Sequence, residues 1–468
     1  MLTPGRSAYA AKIPPSDMDQ GSAAPRGLGI GAMLASLSLV ASYAALGINS
    51  IAAARIVGPD ATGVVALSNQ IVLITVFVAG IGLRTSLAAM VGAGEWSIRG
   101  AVTRVIPAGI ALGLVGGACG LTLYEVLKDS ALDGFSLSMA GVLMASLPTA
   151  LLWWIVPALA LGRERYEAYA LLTISAPVAV MILSPIGAFV DESAGAVYGL
   201  GAGYLVGGSA CVIWAVRFAR QPESARGDDS GLRKALSIGA RSWVNDLFQI
   251  VNLRPDLFIL NAYVTIGATG VYSVAISLTS AGFILSQSLA TVVLPRAAAL
   301  HTLDLSESPI LSERTAASAV RHAVLVSAAA VVALGMVLLF VPLVWGGGFD
   351  KAIEYGFILL PGVGLLGVGR VMVAAFTGRG HPYYALAVGL VSFPVTIAAY
   401  LLVIPDHGTL GAAIVSSGSY IAAALLAAAL FFRSVHAPLR ELLLPTRADI
   451  RDYQEFADRW RSRTLRAR

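Results

Sequence analysis

Charged residues are scarce in this sequence. Asp, Glu, Lys and Arg make up 13% of its 468 residues, against about 25% in typical soluble domains. Hydrophobic residues make up 57%, and the mean hydropathy is +0.77. A helix that spans a bilayer needs about 20 mostly apolar residues, and about twelve such stretches use up almost the whole chain. No segment is left for a separate soluble catalytic domain.

The sequence also lacks the short motifs of soluble enzymes. Its two cysteines, Cys119 and Cys211, fall in apolar stretches without metal-type spacing, so we expect inert core thiols. The five histidines are scattered, and there is no GxxxxGK phosphate-binding loop, so we expect neither a metal site nor ATP as the energy source. The first 27 residues lack the apolar core and cleavage site of a signal peptide. We expect no catalytic residues and no cofactor.

What the sequence has instead is a series of long apolar stretches, which predict an all-α integral membrane protein. The expected transmembrane helices are 30–54, 64–92, 101–127, 137–161, 168–190, 196–216, 238–261, 268–294, 319–343, 353–376, 384–404 and 408–432.

The basic residues lie mostly on one side of this arrangement. With the N-terminus inside, the inner segments hold 23 of the 32 Lys and Arg, while the outer loops hold only Arg55, Lys128 and Lys351. Cytoplasmic loops of membrane proteins carry this excess. We therefore expect a multi-pass protein of the inner (cytoplasmic) membrane with both termini in the cytoplasm. The pI of about 9.2 then reflects contact with membrane lipids and not with nucleic acid.

Two pairs of similar segments indicate an internal repeat. DATGV at 60–64 and GATGV at 267–271 are 207 residues apart, and GR…YAL at 162–171 matches GR…YAL at 378–386 with an offset near 215. Each pair falls at equivalent places in a layout of six plus six helices. Two parallel six-helix repeats are related by a pseudo-two-fold axis along the membrane normal, an arrangement that suits alternating access.

The repeat predicts the domain organisation. We expect a cytoplasmic tail over 1–27, an N-lobe over 28–218, a cytoplasmic linker over 219–237, a C-lobe over 238–432 and a basic cytoplasmic tail over 433–468.

The seventh expected helix carries a polar stripe. Arg241, Asn245, Gln249, Asn252 and Asp256 follow at intervals of four, four, three and four residues, on one face about 80° wide. Such a stripe either lines a cavity between the lobes or supplies hydrogen bonds that hold helices together. Applied to the first helix, the 207-residue offset gives a weaker stripe, formed by Ser38, Ser42 and Asn49.

Ionisable residues within the spans are the strongest candidates for a site, since each costs at least about 2.5 kcal/mol to insert. Arg84, Arg254 and Arg370 predict an anionic ligand, because the planar guanidinium suits phosphate oxygens. The alternative is that individual arginines pair with carbonyls or extend to the membrane surface. Asp256 follows Pro255 and either pairs with Arg254 for stability or carries a proton or sodium ion.

Several segments resemble the oligosaccharide flippases. ARIVGPD at 54–60, followed by Gly63, is similar to the AR-x-LG-P-E-x-x-G segment after the first helix of that family. DLFIL at 256–260, GVYSVA at 270–275, VLP at 293–295, LLPG at 359–362 and GRGHP at 378–382 extend the resemblance, which spans about 28–432. The family is the polysaccharide (O-antigen type) branch of the multidrug/oligosaccharidyl-lipid/polysaccharide exporter superfamily. Lipid II flippases also resemble the chain, but typically have fourteen helices.

The resemblance implies a flippase that moves a polyprenyl-pyrophosphate-linked oligosaccharide across the membrane. Arg84, Arg254 and Arg370, with Asn245, Gln249 and Asn252, would bind this substrate, and Asp256 would serve coupling or a charge pair. Polysaccharide polymerases and glycosyltransferases would be partners. A cation-coupled exporter of drugs or small molecules on the same scaffold is the alternative. A membrane polymerase or ligase fits less well, because such enzymes usually carry a large outer loop.

Overall fold

The computed structural model describes the apolar body of the chain without its tails. The described residues are 26–221, 233–237, 239–240, 243, 255–283, 286, 289–290, 293, 308–379 and 381–434. Every helix named below lies within them.

The first half of the chain forms seven helices. They are α1 (Arg26–Ile56), α2 (Pro59–Ala79), α3 (Leu83–Gly92), α4 (Ile98–Leu127), α5 (Leu137–Ile155), α6 (Pro157–Gly162) and α7 (Tyr166–Phe218).

The second half adds six described helices and one 3₁₀ turn. The helices are α8 (Asp256–Asn261), α9 (Ile266–Ser280), α10 (Ser308–Leu338), α11 (Val341–Trp345), α12 (Lys351–Gly378) and α13 (Pro382–Ser434), and the 3₁₀ turn is Gly347–Phe349.

The two longest helices, α7 and α13, each contain a reversal. In α7 the backbone turns at Asp191 and Glu192, where Glu192 has φ 42°, and in α13 it turns at Gly408, with φ 53°. The arms of α7 then run back along each other so closely that a Cβ on Gly203 would lie 2.6 Å from the Val180 backbone nitrogen. Glycine permits this approach because it has no side chain.

The helices agree with the expected spans. Eight described helices are long and apolar enough to cross a membrane, and α7 and α13 each cross twice because of their reversals, which gives ten crossings. The two other expected spans, 238–261 and 268–294, lie partly outside the described residues. The protein is thus an all-α integral membrane protein of about twelve spans in two six-helix lobes.

One expectation about the second span was incomplete. We expected a single helix over 64–92, and the structure divides it into α2 and α3 at residues 80–82. The expectation that both cysteines are core thiols was also wrong for one of them, since Cys211 is buried but Cys119 is exposed on α4. Cys119 is therefore not a core thiol, because an apolar residue of a membrane helix can face lipid as well as the interior.

Turns at one end of the bundle touch across the two halves of the chain. We call this the outer end, following the orientation that the basic residues predict, and the opposite end the inner end. The outer turns are 57–58, 128–136, 191–192, 262–265, 346–350 and 406–408. Near this end both halves contribute to one apolar core, in which Leu67 and Leu143 pack in the same cluster as Leu260, Tyr272 and Leu359.

Toward the inner end the second half of the chain has a core of its own. This cluster includes Val320, Met372, Phe376 and Phe431, and all its described members come from residues 289–432. Within the described residues, the two halves therefore share one large apolar core, and the second half has an additional core toward its inner end.

Near the outer end, the two halves make a close backbone contact where α2 and α9 cross. A Cβ on Gly63 would collide with the carbonyl oxygen of Ile266, and a Cβ on Gly270 would collide with that of Pro59. Gly63 and Gly270 are 207 residues apart, as are Pro59 and Ile266. The contact is thus reciprocal, as expected where a two-fold axis passes through an interface.

Candidate functional site

The break between α2 and α3 creates an irregular backbone segment within the membrane-spanning body. Ile81 has φ 41° and Gly82 has φ 66°, both in the left-handed region that a β-branched residue rarely adopts. A side chain on Gly82 would collide with the Gly239 backbone, so the break fits against the start of the seventh span. The Trp243 Nε1–H donates to the Phe77 carbonyl at 2.9 Å, which satisfies a carbonyl near the end of α2.

Arg84 follows this break as the second residue of α3. Its guanidinium lies over the Trp154 ring, with Cζ 3.9 Å from the ring centroid, and Nη2 donates to the Tyr169 hydroxyl at 2.9 Å. A guanidinium has five N–H donors, and within the described part of the chain this is its one hydrogen bond. The side chain is half-buried. The Arg84 guanidinium therefore packs on the Trp154 ring, while most of its N–H donors stay available to a ligand.

A small pocket of about 30 Å³ opens beside this arginine. Its lining includes Phe77, Trp154 and Trp243 as well as Arg84. Aromatic walls lower the local dielectric, which strengthens the attraction between a guanidinium and an anion.

Arg370 has a similar environment in the second half of the chain. Its Cζ lies 4.6 Å from the centroid of the Phe283 ring, and the side chain is half-buried on α12. The Phe283 ring packs edge-on against Tyr420 at 5.9 Å. Each half of the chain thus holds an arginine over an aromatic ring, and in the first half Arg104 and Arg165 also lie over the rings of Trp96 and Phe218. Arg84 and Arg370 belong to separate side-chain clusters.

Asp256 forms a third cluster, closer to the outer end, and is fully buried. Its Oδ2 accepts from the Tyr272 hydroxyl and its Oδ1 from the Leu257 N–H, both at 2.9 Å. Tyr272 is in turn 2.9 Å from the Ser416 hydroxyl, which is 2.8 Å from that of Tyr400. When Asp256 is ionised, Tyr272 uses its one hydrogen on the carboxylate, so Ser416 donates to Tyr272 and Tyr400 donates to Ser416. The three hydroxyls then form a chain of hydrogen bonds directed at the carboxylate.

The other expected site residues fall outside the described part of the chain. These are Arg254, Asn245, Gln249 and Asn252, together with Arg241 of the same stripe. The related stripe on α1 is described, and Ser38, Ser42 and Asn49 are all buried. Ser38 and Ser42 donate to carbonyls of α1 itself. On the first helix the stripe therefore packs against neighbouring helices and does not line an open cavity.

The partners of these charges were missed at the sequence level. Trp154, Tyr169, Phe283 and Tyr272 are aromatic residues within apolar spans, where they resemble ordinary core residues. The signal that could have indicated one of them is the GR…YAL repeat, which contains Tyr169.

The fold and the side-chain clusters together define a class of protein. It is an all-helical membrane protein whose two halves share an apolar core, with an arginine of a spanning helix placed over an aromatic ring in each half. No family model and no curated protein sequence matches the chain.

Solved structures with the same fold are membrane transporters. The chain is similar to a multidrug resistance MATE family transporter of the MOP superfamily in the inward-facing conformation, with a TM-score of 0.65 at 17% identity over 84% of this chain and 94% of that one. It is also similar to a MATE family transporter of the same superfamily in the outward-facing conformation, with a TM-score of 0.58 at 18% identity over 86% of this chain and 98% of that one. The lipid II flippase MurJ in the inward closed conformation gives a TM-score of 0.68 at 13% identity over 88% of this chain and 89% of that one. At these identities the likeness shows the fold.

Proposed function

We propose that this chain is a flippase that carries a polyprenyl-pyrophosphate-linked oligosaccharide across the cytoplasmic membrane by alternating access. The observation that carries the proposal is the pair of half-buried arginines, Arg84 and Arg370, one in each lobe. Both lie within spanning helices, and we place them along a proposed cleft between the lobes. Fixed positive charge in such a cleft favours an anionic substrate.

The chemistry of the two arginines fits a diphosphate. A guanidinium binds phosphate oxygens through two parallel N–H···O bonds, and an aromatic ring beneath it fixes the plane of those donors. Two arginines on facing lobes would contact the two phosphates of one diphosphate and follow it as the lobes move. Arg254, Asn245, Gln249 and Asn252 complete the proposed binding set.

The lipid part of such a substrate does not need a polar path. The proposed cleft passes the sugar and the diphosphate, while the prenyl chain stays in the bilayer, where burial of each CH₂ contributes about 0.8 kcal/mol. Membrane lipids are therefore the second partner. Polysaccharide polymerases and glycosyltransferases are the proteins expected to act after and before the flipping step.

Asp256 is the proposed coupling residue. It is fully buried and accepts from Tyr272, so gain of a proton or a monovalent cation would change the direction of the hydrogen bonds through Ser416 and Tyr400. These helices belong to the proposed C-lobe, residues 238–432, with the linker 219–237 joining it to the proposed N-lobe, residues 28–218. The tails 1–27 and 433–468 are proposed to lie in the cytoplasm.

Purified protein in liposomes tests the proposal directly. With a prenyl-diphosphate-linked sugar in the inner leaflet, appearance of the sugar outside is measured for Arg84→Ala, Arg84→Lys and Arg370→Ala. Loss of a hydrogen bond to a charged group costs about 1.5–3 kcal/mol, so we expect both alanine variants to flip roughly 10- to 100-fold more slowly. Arg84→Lys keeps the positive charge but loses the two parallel N–H donors of the guanidinium, so we expect an intermediate flipping rate.

Arg99→Ala is the matched control, because Arg99 is an exposed arginine at the start of α4. Wild-type flipping by both Arg84→Ala and Arg370→Ala would contradict the proposal.

The second candidate function is a cation-coupled exporter of drugs or other small molecules. The observation in its favour is the buried Asp256 cluster, which offers a carboxylate to a coupling cation without requiring an anionic substrate. In cells exposed to drugs, this function would be abolished by Asp256→Asn and unaffected by Arg84→Ala. The flippase proposal expects no drug efflux at all.

A further inference from the structure

The segment that most resembles the flippases has no part in the proposed binding of substrate. This segment covers residues 54–60 and continues to Gly63. In the structure it runs from the end of α1 through the turn at 57–58 into α2. All of its inter-lobe contacts lie at the outer end.

Arg55 makes the most specific of these contacts. Its Nε donates to the Val344 carbonyl at 2.9 Å, and its Nη2 donates to the Leu343 carbonyl. Both carbonyls belong to the last turn of α11, which ends at Trp345. The last carbonyls of a helix lack partners within the helix and carry partial negative charge, so a guanidinium there satisfies two acceptors at once. Arg55 thereby ties the N-lobe to the C-lobe.

Two neighbouring contacts reinforce this attachment. Trp345, the last residue of α11, donates its Nε1–H to the Ser50 hydroxyl at 3.2 Å. The turn that follows α11 lies against the start of α2, since a Cβ on Gly348 would lie 3.2 Å from Pro59 Cγ. One continuous segment of the N-lobe, residues 50–59, thus holds one short segment of the C-lobe, residues 343–348.

The same stretch ends at the glycine crossing. Gly63 lies against Ile266 and Gly270 against Pro59, with backbone on backbone in both directions. The crossing closes the space between α2 and α9 near the outer end. It lies one helical turn from Pro59, so the Arg55 contact and the crossing are mechanically continuous.

We propose that residues 55–63 form an outer latch, in which Arg55 on the end of α11 and the Gly63–Gly270 crossing together keep the cleft closed to the outer side. The outer latch rests on the proposed alternating access, but not on the identity of the substrate. Opening to the outside requires Arg55 to leave the two carbonyls of α11. Arg55 is exposed, so water can replace those acceptors and the contact can be released and remade.

The two parts of the outer latch, the glycine crossing and the Arg55 contact, differ in how they resist opening. The glycine crossing consists of close packing, which resists partial separation because contact between backbones is lost within a fraction of an ångström. The Arg55 contact is charge-assisted and reaches across from another helix. Removing it should therefore raise the population of the outward-open state without disturbing the packing within either lobe.

A cysteine inserted in the crossing reports on opening. Thr269 is fully buried next to Gly270, and its hydroxyl has no hydrogen-bond partner among the described residues, so Thr269→Cys removes no described hydrogen bond. The background carries Cys119→Ser and Cys211→Ala, which removes the two native cysteines. Labelling of Cys at 269 by a membrane-impermeant thiol reagent is measured in liposomes without substrate.

Three second-site variants are compared in that background. We expect Arg55→Ala to raise the labelling rate roughly five- to tenfold, as the loss of one or two charge-assisted hydrogen bonds predicts, and Arg55→Lys to raise it less. Lys128→Ala is the matched control, because Lys128 is also exposed at the outer end but bonds only within its own neighbourhood, to Glu125 at 2.8 Å. It should label at the parental rate.

A disulfide provides a second measurement with Arg55 intact. A Cβ on Gly267 would lie 3.5 Å from Asp60 Cγ, so Asp60→Cys and Gly267→Cys are within reach of a disulfide across the crossing. Oxidation should stop turnover of whichever substrate the protein transports, and reduction should restore it. Equal labelling of Arg55→Ala and Lys128→Ala, or full turnover of the oxidised protein, would overturn the outer latch. If the outer latch behaves as expected and no prenyl-diphosphate sugar is flipped, the proposed substrate alone is wrong.

Discussion

Replacing Tyr272 with phenylalanine should reveal the charge state of Asp256. The Tyr272 hydroxyl donates to the Asp256 carboxylate and also contacts Ser416, whereas the Tyr400 hydroxyl contacts Ser416. Both tyrosines are buried, at 0% and 2% exposure, and lie in one hydrogen-bonded chain. Tyr272→Phe and Tyr400→Phe therefore both remove a buried hydroxyl that bonds Ser416, and only Tyr272→Phe also removes a bond to the carboxylate.

The expected magnitudes follow from the type of hydrogen bond. A bond to a charged group contributes about 1.5–3 kcal/mol and a neutral one about 0.5–1.5 kcal/mol. With Asp256 ionised, Tyr272→Phe should destabilise the protein by about 1.5–3 kcal/mol more than Tyr400→Phe does. With Asp256 protonated or bound to a cation, the difference should fall to that of one neutral bond, about 0.5–1.5 kcal/mol.

The assay is thermal or denaturant unfolding of both variants in detergent, over a range of pH and with sodium or potassium as the cation. A third variant, Asp256→Asn, completes a double-mutant cycle with Tyr272→Phe, for which residues in direct contact typically give a coupling of 0.5–3 kcal/mol. Equal destabilisation by the two tyrosine variants under all conditions, with no coupling to Asp256→Asn, would refute an ionised Asp256 held by Tyr272.

Two further predictions concern backbone contacts between distant segments. Gly63→Ala should lower the unfolding temperature by an amount corresponding to about 1–3 kcal/mol of overpacking. Gly141→Ala is the control, because a Cβ there would meet nothing within 4 Å, and it should be neutral or slightly stabilising. Equal effects of the two variants would mean that the α2–α9 crossing is looser than described. Trp243→Phe keeps an aromatic wall but leaves the Phe77 carbonyl without its 2.9 Å donor, so it should destabilise by about 1–3 kcal/mol in unfolding experiments, and a neutral result would show that water replaces the indole.

The positions of the helices could be predicted because hydropathy records the thickness of the bilayer. The expected span 101–127 became Ile98–Leu127, and 353–376 became Lys351–Gly378, with differences of a few residues at each end. The break at 80–82 could not be predicted in this way. Gly80, Ile81 and Gly82 continue an apolar run, and the left-handed backbone of Ile81 and Gly82 lies against Gly239, which is 157 residues beyond Gly82.

Burial within the membrane was harder to predict than span position. An apolar residue of a spanning helix can face lipid or protein with little difference in transfer free energy, so hydropathy does not separate the two. Cys119 and Cys211 illustrate this, since both lie in apolar helices and only Cys211 is buried. Periodicity did place Ser38, Ser42 and Asn49 on one buried face, but it could not tell whether that face lines a cavity or packs against another helix.

Scarcity of charge explains what the sequence could say about the site. Each ionisable residue in a span must have a reason to be there, so Arg84, Arg370 and Asp256 could be selected as candidates from the sequence alone. What holds them could not be selected, because a buried charge is stabilised by whatever the fold brings next to it. Arg84 lies on Trp154, 70 residues away in the chain, and Asp256 accepts from Tyr272 one helix further on. In a membrane these partners are drawn from the same apolar and aromatic residues that fill the core. The charges therefore indicate where a site lies, and only the packing of the helices determines what each charge can bind.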